Sequence, residues 1–95
     1  MGKYVLLSKL TEEGRTTLKT KPERIKEVNQ EIEKFGVKVL DQFAVLGPYD
    51  FVNIVEAPDN ESVFKMSVEL GSRGTIQITS MPAITVDKLI QSLKP

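Results

Sequence analysis

The hydrophobic pattern has a period of two from Val37 to Leu46 and stays near two after a break at Gly47-Pro48-Tyr49-Asp50, through Ala57. That break constrains the fold more than any other stretch. Period two on both sides of a turn makes a β-hairpin. With Pro48 and Tyr49 as the central turn residues, Val45 falls opposite Val52, Phe43 opposite Ile54 and Asp41 opposite Glu56. One face then carries Phe43, Val45, Val52 and Ile54 and reads as the core face, while the other carries Gln42, Ala44, Asn53 and Val55. Proline at the first central position does not favour the primed turns of tight hairpins, so a longer loop with a shifted register is the alternative. A slip of a single residue would exchange the faces.

The rest of the chain falls around this hairpin. Lys3 to Leu10 is aliphatic, short and bounded by polar residues, which predicts a buried, central strand. Thr11-Glu12-Glu13-Gly14 offers an N-cap hydroxyl and two acids for a single helical turn ending at Gly14, followed by loop or loose helix to Thr20. Thr20-Lys21-Pro22-Glu23 has the spacing of a capping box, and Ile25, Val28, Ile32 and Phe35 then form one apolar stripe up to Gly36. Asp59 is placed to cap a second helix with Val63, Met66, Ser67 and Leu70 inward and Gly71 as its stop. Gly74 to Met81 alternates again, with Ile76 and Ile78 on one side and Thr75, Gln77 and Thr79 on the other. Pro82 limits that strand to an edge or to an end near Met81. Thr85-Val86-Asp87 starts a short tail helix through Ile90 and Leu93.

The order is βαββαβ plus a C-terminal helix, an α+β, ferredoxin-like antiparallel sheet with helices on one face, in a single domain spanning residues 1–95. The other face is expected to hold Asn53, Gln77 and Thr79 beside Val55, Ala44, Tyr4 and Leu6, too apolar a mixture to stay solvated. A second copy of the same sheet is the simplest cover, giving a symmetric homodimer with a shared interior.

Composition removes several chemistries. Thirteen basic and thirteen acidic residues leave no net charge to draw the chain to nucleic acid or anionic lipid. The chain has no Cys and no His, so thiolate nucleophiles, imidazole bases and the usual zinc ligands are absent and no cofactor is expected. The N-terminus lacks a signal-peptide core and no apolar run reaches the roughly 20 residues that span a bilayer, so the expected location is cytoplasmic.

Gly47 to Asp50, the strand after it, Glu56-Ala57-Pro58-Asp59, Leu70-Gly71-Ser72-Arg73-Gly74 and Leu10-Thr11-Glu12-Glu13-Gly14 together resemble the GYD domain family of small bacterial and archaeal proteins. The resemblance covers nearly the whole chain. It implies a ferredoxin-like fold of the dimeric α/β barrel type and leaves activity open. Gln77 and Pro82 stand where basic residues are expected more often in the last strand, which speaks against an anion site there.

Four candidate sites follow. Tyr49 and Asp50 pair a phenol with a carboxylate, able to orient a polar ligand or relay a proton, although both also suit a turn in which Asp50 accepts backbone N–H bonds. Asp41 and Glu56, side by side in the expected register, would share a proton, hold a divalent cation, or meet Lys38 or Arg73; alternatively they separate into solvent at the sheet's end. Gly71 to Gly74 with Arg73 offers an anion loop, but at the negative end of a helix, where a plain turn fits better. Tyr4, Asn53, Gln77 and Thr79 are expected to line a polar–apolar cavity on the open sheet face, or a dimer interface there. The reading that covers these is a non-enzymatic, self-associating module that binds a small polar ligand or acts in assembly or regulation. The alternatives are a cofactor-free enzyme using Tyr49, Asp50 and Glu56, and a divalent-metal protein using Asp41 and Glu56.

Overall fold

The computed structural model describes all residues, Met1–Pro95. Four strands, β1 (Gly2–Leu10), β2 (Lys38–Ala44), β3 (Phe51–Ala57) and β4 (Ile76–Ala83), form one antiparallel sheet in the order β2-β3-β1-β4. Helices α1 (Glu12–Thr20) and α2 (Arg24–Ile32, continued by a 3-10 turn over Glu33–Phe35) join β1 to β2, and α3 (Asn60–Gly71) joins β3 to β4. A last helix, α4 (Val86–Leu93), follows β4. This is the split βαβ order expected, with β1 central and β4 on an edge. Because β4 is an edge strand, Pro82 sits inside it, opposite Tyr4, without breaking a ladder on its outer side.

The helices take one face of the sheet. Tyr4, Leu6 and Ser8 of β1 and Phe51, Val55 and Ala57 of β3 are buried beneath them with Ile32, Val37, Val63, Met66 and Leu70. Three expected caps are present: Thr11, Asp59 and Thr85 accept from the N–H groups of Gly14 (3.1 Å), Ser62 (2.8 Å) and Lys88 (3.1 Å). Gly36, in the left-handed region at φ 83°, ends the 3-10 turn.

Three expectations fail here, each for a tertiary reason. Gly14 does not end a helical turn but lies buried within a nine-residue helix. A Cβ at this position would come 2.0 Å from the Thr75 carbonyl oxygen, so only glycine lets α1 lie against the start of β4. The contact is fastened by Thr11, whose N–H donates to Thr75 O at 3.0 Å and whose hydroxyl donates to Gly74 O at 2.8 Å. Thr20 does not cap α2. It is the last residue of α1, with its hydroxyl turned back to Thr16 and Thr17 carbonyls, and the Glu23 cap makes no side-chain bond.

The hairpin faces are also inverted. Phe43, Val52 and Ile54 do share a face, as expected, but it is the open one, and Asn53 and Val55 lie under the helices. The register pairs Phe43 with Val52 and Asp41 with Ile54, shifted by two residues, and a bulge at Leu40 brings Val39 opposite Val55 and Lys38 opposite Glu56. The physical reason is a loop longer than two residues between strands that are apolar on both faces, which leaves alternation without a preferred side.

Replacing Gly14 by Ala is expected to lower stability by about 3 kcal/mol, because backbone rather than a flexible side chain must move. Gly71→Ala meets nothing within 4 Å and is expected to stay within about 0.5 kcal/mol of wild type. Urea midpoints at constant slope measure both.

Candidate functional site

The motif turn is first a structural clamp. Asp50 sits where β3 begins and β1 outlasts its pairing with β3, whose last pair is Ser8 with Phe51. Its backbone N–H donates to Ser8 O at 2.8 Å, its carbonyl accepts from Val45 N at 2.9 Å, and its carboxylate accepts the Leu10 N–H at 2.8 Å. Leu10 N–H is thus satisfied beyond the end of the ladder by a side chain in place of a strand. Gly47, at φ 123°, supplies the backbone angle the loop needs. Tyr49 is half-buried beside it. One oxygen of the Asp50 carboxylate is therefore engaged by the backbone, as the turn reading of this residue expects.

The other sequence candidates are dispersed. Asp41 faces Ile54, so it forms no dyad with Glu56. Glu56 instead has Lys38 and Lys3 as its cross-strand neighbours, an arrangement of opposite charges that needs no cation. No group of three or more Asp and Glu side chains is gathered as a metal cage would require. Tyr4 and Asn53 lie on the helix side, Gln77 and Thr79 on the open side, so the four do not line one cavity. The Tyr4 hydroxyl donates to Asn60 Oδ1 at 2.5 Å, fixing the start of α3. Arg73 leaves the Gly71–Gly74 turn to bind Glu31 and Glu69.

Three surfaces remain that a partner or ligand can use. The open face presents Val5, Leu7, Val52, Ile54, Phe43 and Met81 with no helix over them, and Phe43 is 58% exposed. Lys3, Lys9, Asp41 and Glu56 stand on the same face at its margins, so its rim carries both signs. The second is α4, which barely touches the rest of the domain. Its apolar residues Val86, Leu89, Ile90 and Leu93 recur at helical spacing and are all exposed, Leu93 by 75%.

The third surface is a cavity of about 290 Å³ between α1, α2 and the helix side of the sheet, walled by Leu6, Leu10, Ile25, Val28, Met66 and Ile76. At its margin Glu31 bridges two guanidiniums, Arg73 at 2.6 Å and Arg24 at 2.9 Å, and Arg24 also reaches Glu27 at 3.2 Å. This network ties α2 to the turn after α3. The bonds from Arg73 and then Arg24 hold the Glu31 carboxyl below the usual carboxylate range. The spacing of Arg24, Glu27 and Glu31 along one helix was visible in the sequence; the link to Arg73 was not, because it spans 42 residues.

Comparison with known proteins agrees with the topology. The GYD domain family profile matches residues 4–93. A protein of Thermus thermophilus named glutamine synthetase and cystathionine beta-lyase binding protein is 53% identical over 95 residues, covering 99% of this chain and 100% of that one. Among solved structures, MtbAldR superposes with a TM-score of 0.63 at 23% identity over 88% of this chain and 52% of that one. A second crystal structure, also of a Thermus thermophilus protein, gives 0.56 at 20% identity over 90% and 95%. At these identities the two structures speak for the fold alone.

Asp50→Ala is expected to cost about 1–3 kcal/mol, since Leu10 N–H is left without its acceptor, whereas Tyr49→Phe should change stability by less than about 0.5 kcal/mol. Chemical denaturation of the two variants separates the clamp from a phenol free to meet a ligand. A second expectation concerns acid. With its folded pKa depressed, Glu31 contributes its full stabilisation above the unfolded value of about 4.3 and loses it as pH falls through the lower folded value. Glu31→Gln is therefore expected to flatten the loss of stability below about pH 4.3, read from melting temperatures across an acid series.

Proposed function

The chain belongs to the GYD domain family, and from that membership we propose that it is a self-associating protein-binding module that docks on metabolic enzymes and regulates or organises them. Glutamine synthetase and cystathionine beta-lyase are the partners to test first. The observation that carries the reading is the 53% identical relative, matched over its whole length and named for binding those two enzymes. The geometry supports it from the other side. A binding role asks for exposed apolar surface on a stable frame, and this chain offers an open sheet face and a bare amphipathic helix. An enzymatic reading would rest on Tyr49, Asp50 and Glu56, of which Asp50 is bound to Leu10 and Glu56 lies between lysines.

Self-association, in the manner of a dimeric α/β barrel, is supported by the amount of surface. The chain exposes 6669 Å², while a compact monomer of its 10.6 kDa mass is expected to expose about 5,500 Å². Its radius of gyration of 14.4 Å likewise exceeds the roughly 12.4 Å expected for this length. The excess, about 1,200 Å², is of the size one partner contributes to a standard or larger interface. A second copy laid on the open face, with α4 crossing to it, would cover Val5, Leu7, Val52, Ile54 and the Val86–Leu93 stripe. The mixed charges of the rim suit a two-fold contact in which each sign meets the other.

Sedimentation velocity is expected to give a dimer or larger assembly for the wild type and a monomer for Leu7→Lys, with Ile90→Asp weakening association. A monomeric wild type would overturn the self-association. For the partners, biolayer interferometry against purified glutamine synthetase and cystathionine beta-lyase should show saturable binding that Gly71→Ala leaves unchanged. Absence of binding to both enzymes would overturn the partner assignment.

A further inference from the structure

The helix layer does not fill the space above the sheet. α2 rests chiefly on β2 and α3 on β4 and β3, and the cavity lies between them, over β1 and β3. Ile25 and Val28, which belong to the inward stripe of α2, reach it only half-buried. The space opens to solvent on one side, and about 290 Å³ is room for roughly ten water-sized atoms. The volume sits at the lower end of the range of small-molecule sites.

Its walls also specify a chemistry. Three side-chain amides line it: Asn29, Gln42 and Asn53. Two of them satisfy each other, Asn29 Nδ2 donating to Gln42 Oε1 at 2.8 Å and Gln42 Nε2 to Asn29 Oδ1 at 3.2 Å. The third does not. Asn53 stands on β3 between Leu6 and Gln42, and its Oδ1 is buried with no hydrogen-bond partner. An orphaned buried carbonyl oxygen is costly unless something supplies a donor.

We propose that this cavity binds a small uncharged molecule with an apolar body and a hydrogen-bond-donating head, the head meeting the Asn53 amide and the body packing on Leu6, Leu10, Val28 and Met66. The head is uncharged because the cationic groups nearby, Arg24 and Arg73, stand at the margin and are already bridged by Glu31, and an ion beside Asn53 would be buried without a counter-charge. A primary amide fits best among simple heads. It repeats toward Asn53 the two-bond pairing that Asn29 and Gln42 make with each other. This site lies on the opposite side of the sheet from the open face, so it is independent of the protein-binding reading.

The test is a titration of the full chain with hexanamide, followed by the methyl resonances of the protein. Saturable shifts are expected at Leu6, Ile25, Val28 and Met66, with Val5, Leu7 and Ile54 of the open face unmoved. Asn53→Leu is expected to weaken binding roughly tenfold while leaving the melting temperature unchanged or higher, since it removes an unsatisfied group. Val28→Phe, which fills the cavity from α2, should abolish binding in a folded protein. Shifts that do not saturate, shifts confined to the open face, a cavity that holds only water and gives no shift, or unchanged binding in both variants would each overturn the proposal.

Discussion

Everything in this fold depends on β1 being paired on both edges and apolar on both faces. It runs antiparallel to β3 on one side and to β4 on the other, and it alternates Tyr4, Leu6 and Ser8 toward the helices with Val5 and Leu7 away from them. A central strand of this kind cannot face water on either side without loss. The helices solve the problem for one face only. The capped starts of α1 and α3, the Gly14 approach to Thr75 and the Tyr4 bond to Asn60 all serve to press helices onto that face. On the other face Leu7 and Ile54 have no helix over them and are left half-buried.

Most of the architecture was legible in the sequence because each element carried its own local signal. Period two gave the strands, Thr11, Asp59 and Thr85 gave three helix starts, and Gly36 gave an end. What could not be read was which side of each strand meets the helices. Phe43, Val52 and Ile54 are more hydrophobic as a set than Asn53 with Phe51, Val55 and Ala57, yet the latter set lies inside. Alternation sorts residues into faces but does not say which face is covered when both are apolar. Gly14 misled for a related reason: a glycine placed for close approach looks, in sequence, like one placed to end a helix.

The candidate site was less legible than the fold. The motif turn was found, but its most reactive-looking group, the Asp50 carboxylate, closes the ladder at Leu10. An acid at a turn is ambiguous in sequence because the same side chain suits a proton relay and a backbone acceptor, and only the position of Leu10 N–H decides between them. The Asn53 amide was singled out in the sequence but set on the open face, whereas it lies on the helix side. Its isolation becomes visible only when Asn29 and Gln42 are seen to pair with each other, which needs α2 docked on β2.

The alternation of β3 also separates what the two faces can do. Asn53 belongs to the cavity and Ile54, its neighbour in the chain, to the open face. In a sheet one strand thick, groups on opposite faces lie closer through the backbone than either does to the ends of its own face. Yet a side-chain change at one leaves the other's contacts intact as long as the ladder holds register. Register here is held at both ends of β3, by Asp50 at the loop and by the Leu40 bulge opposite its far half. A clamp at the motif turn thus keeps the cavity wall and the open face independent, and a chain of 95 residues can offer two surfaces from a single four-stranded sheet.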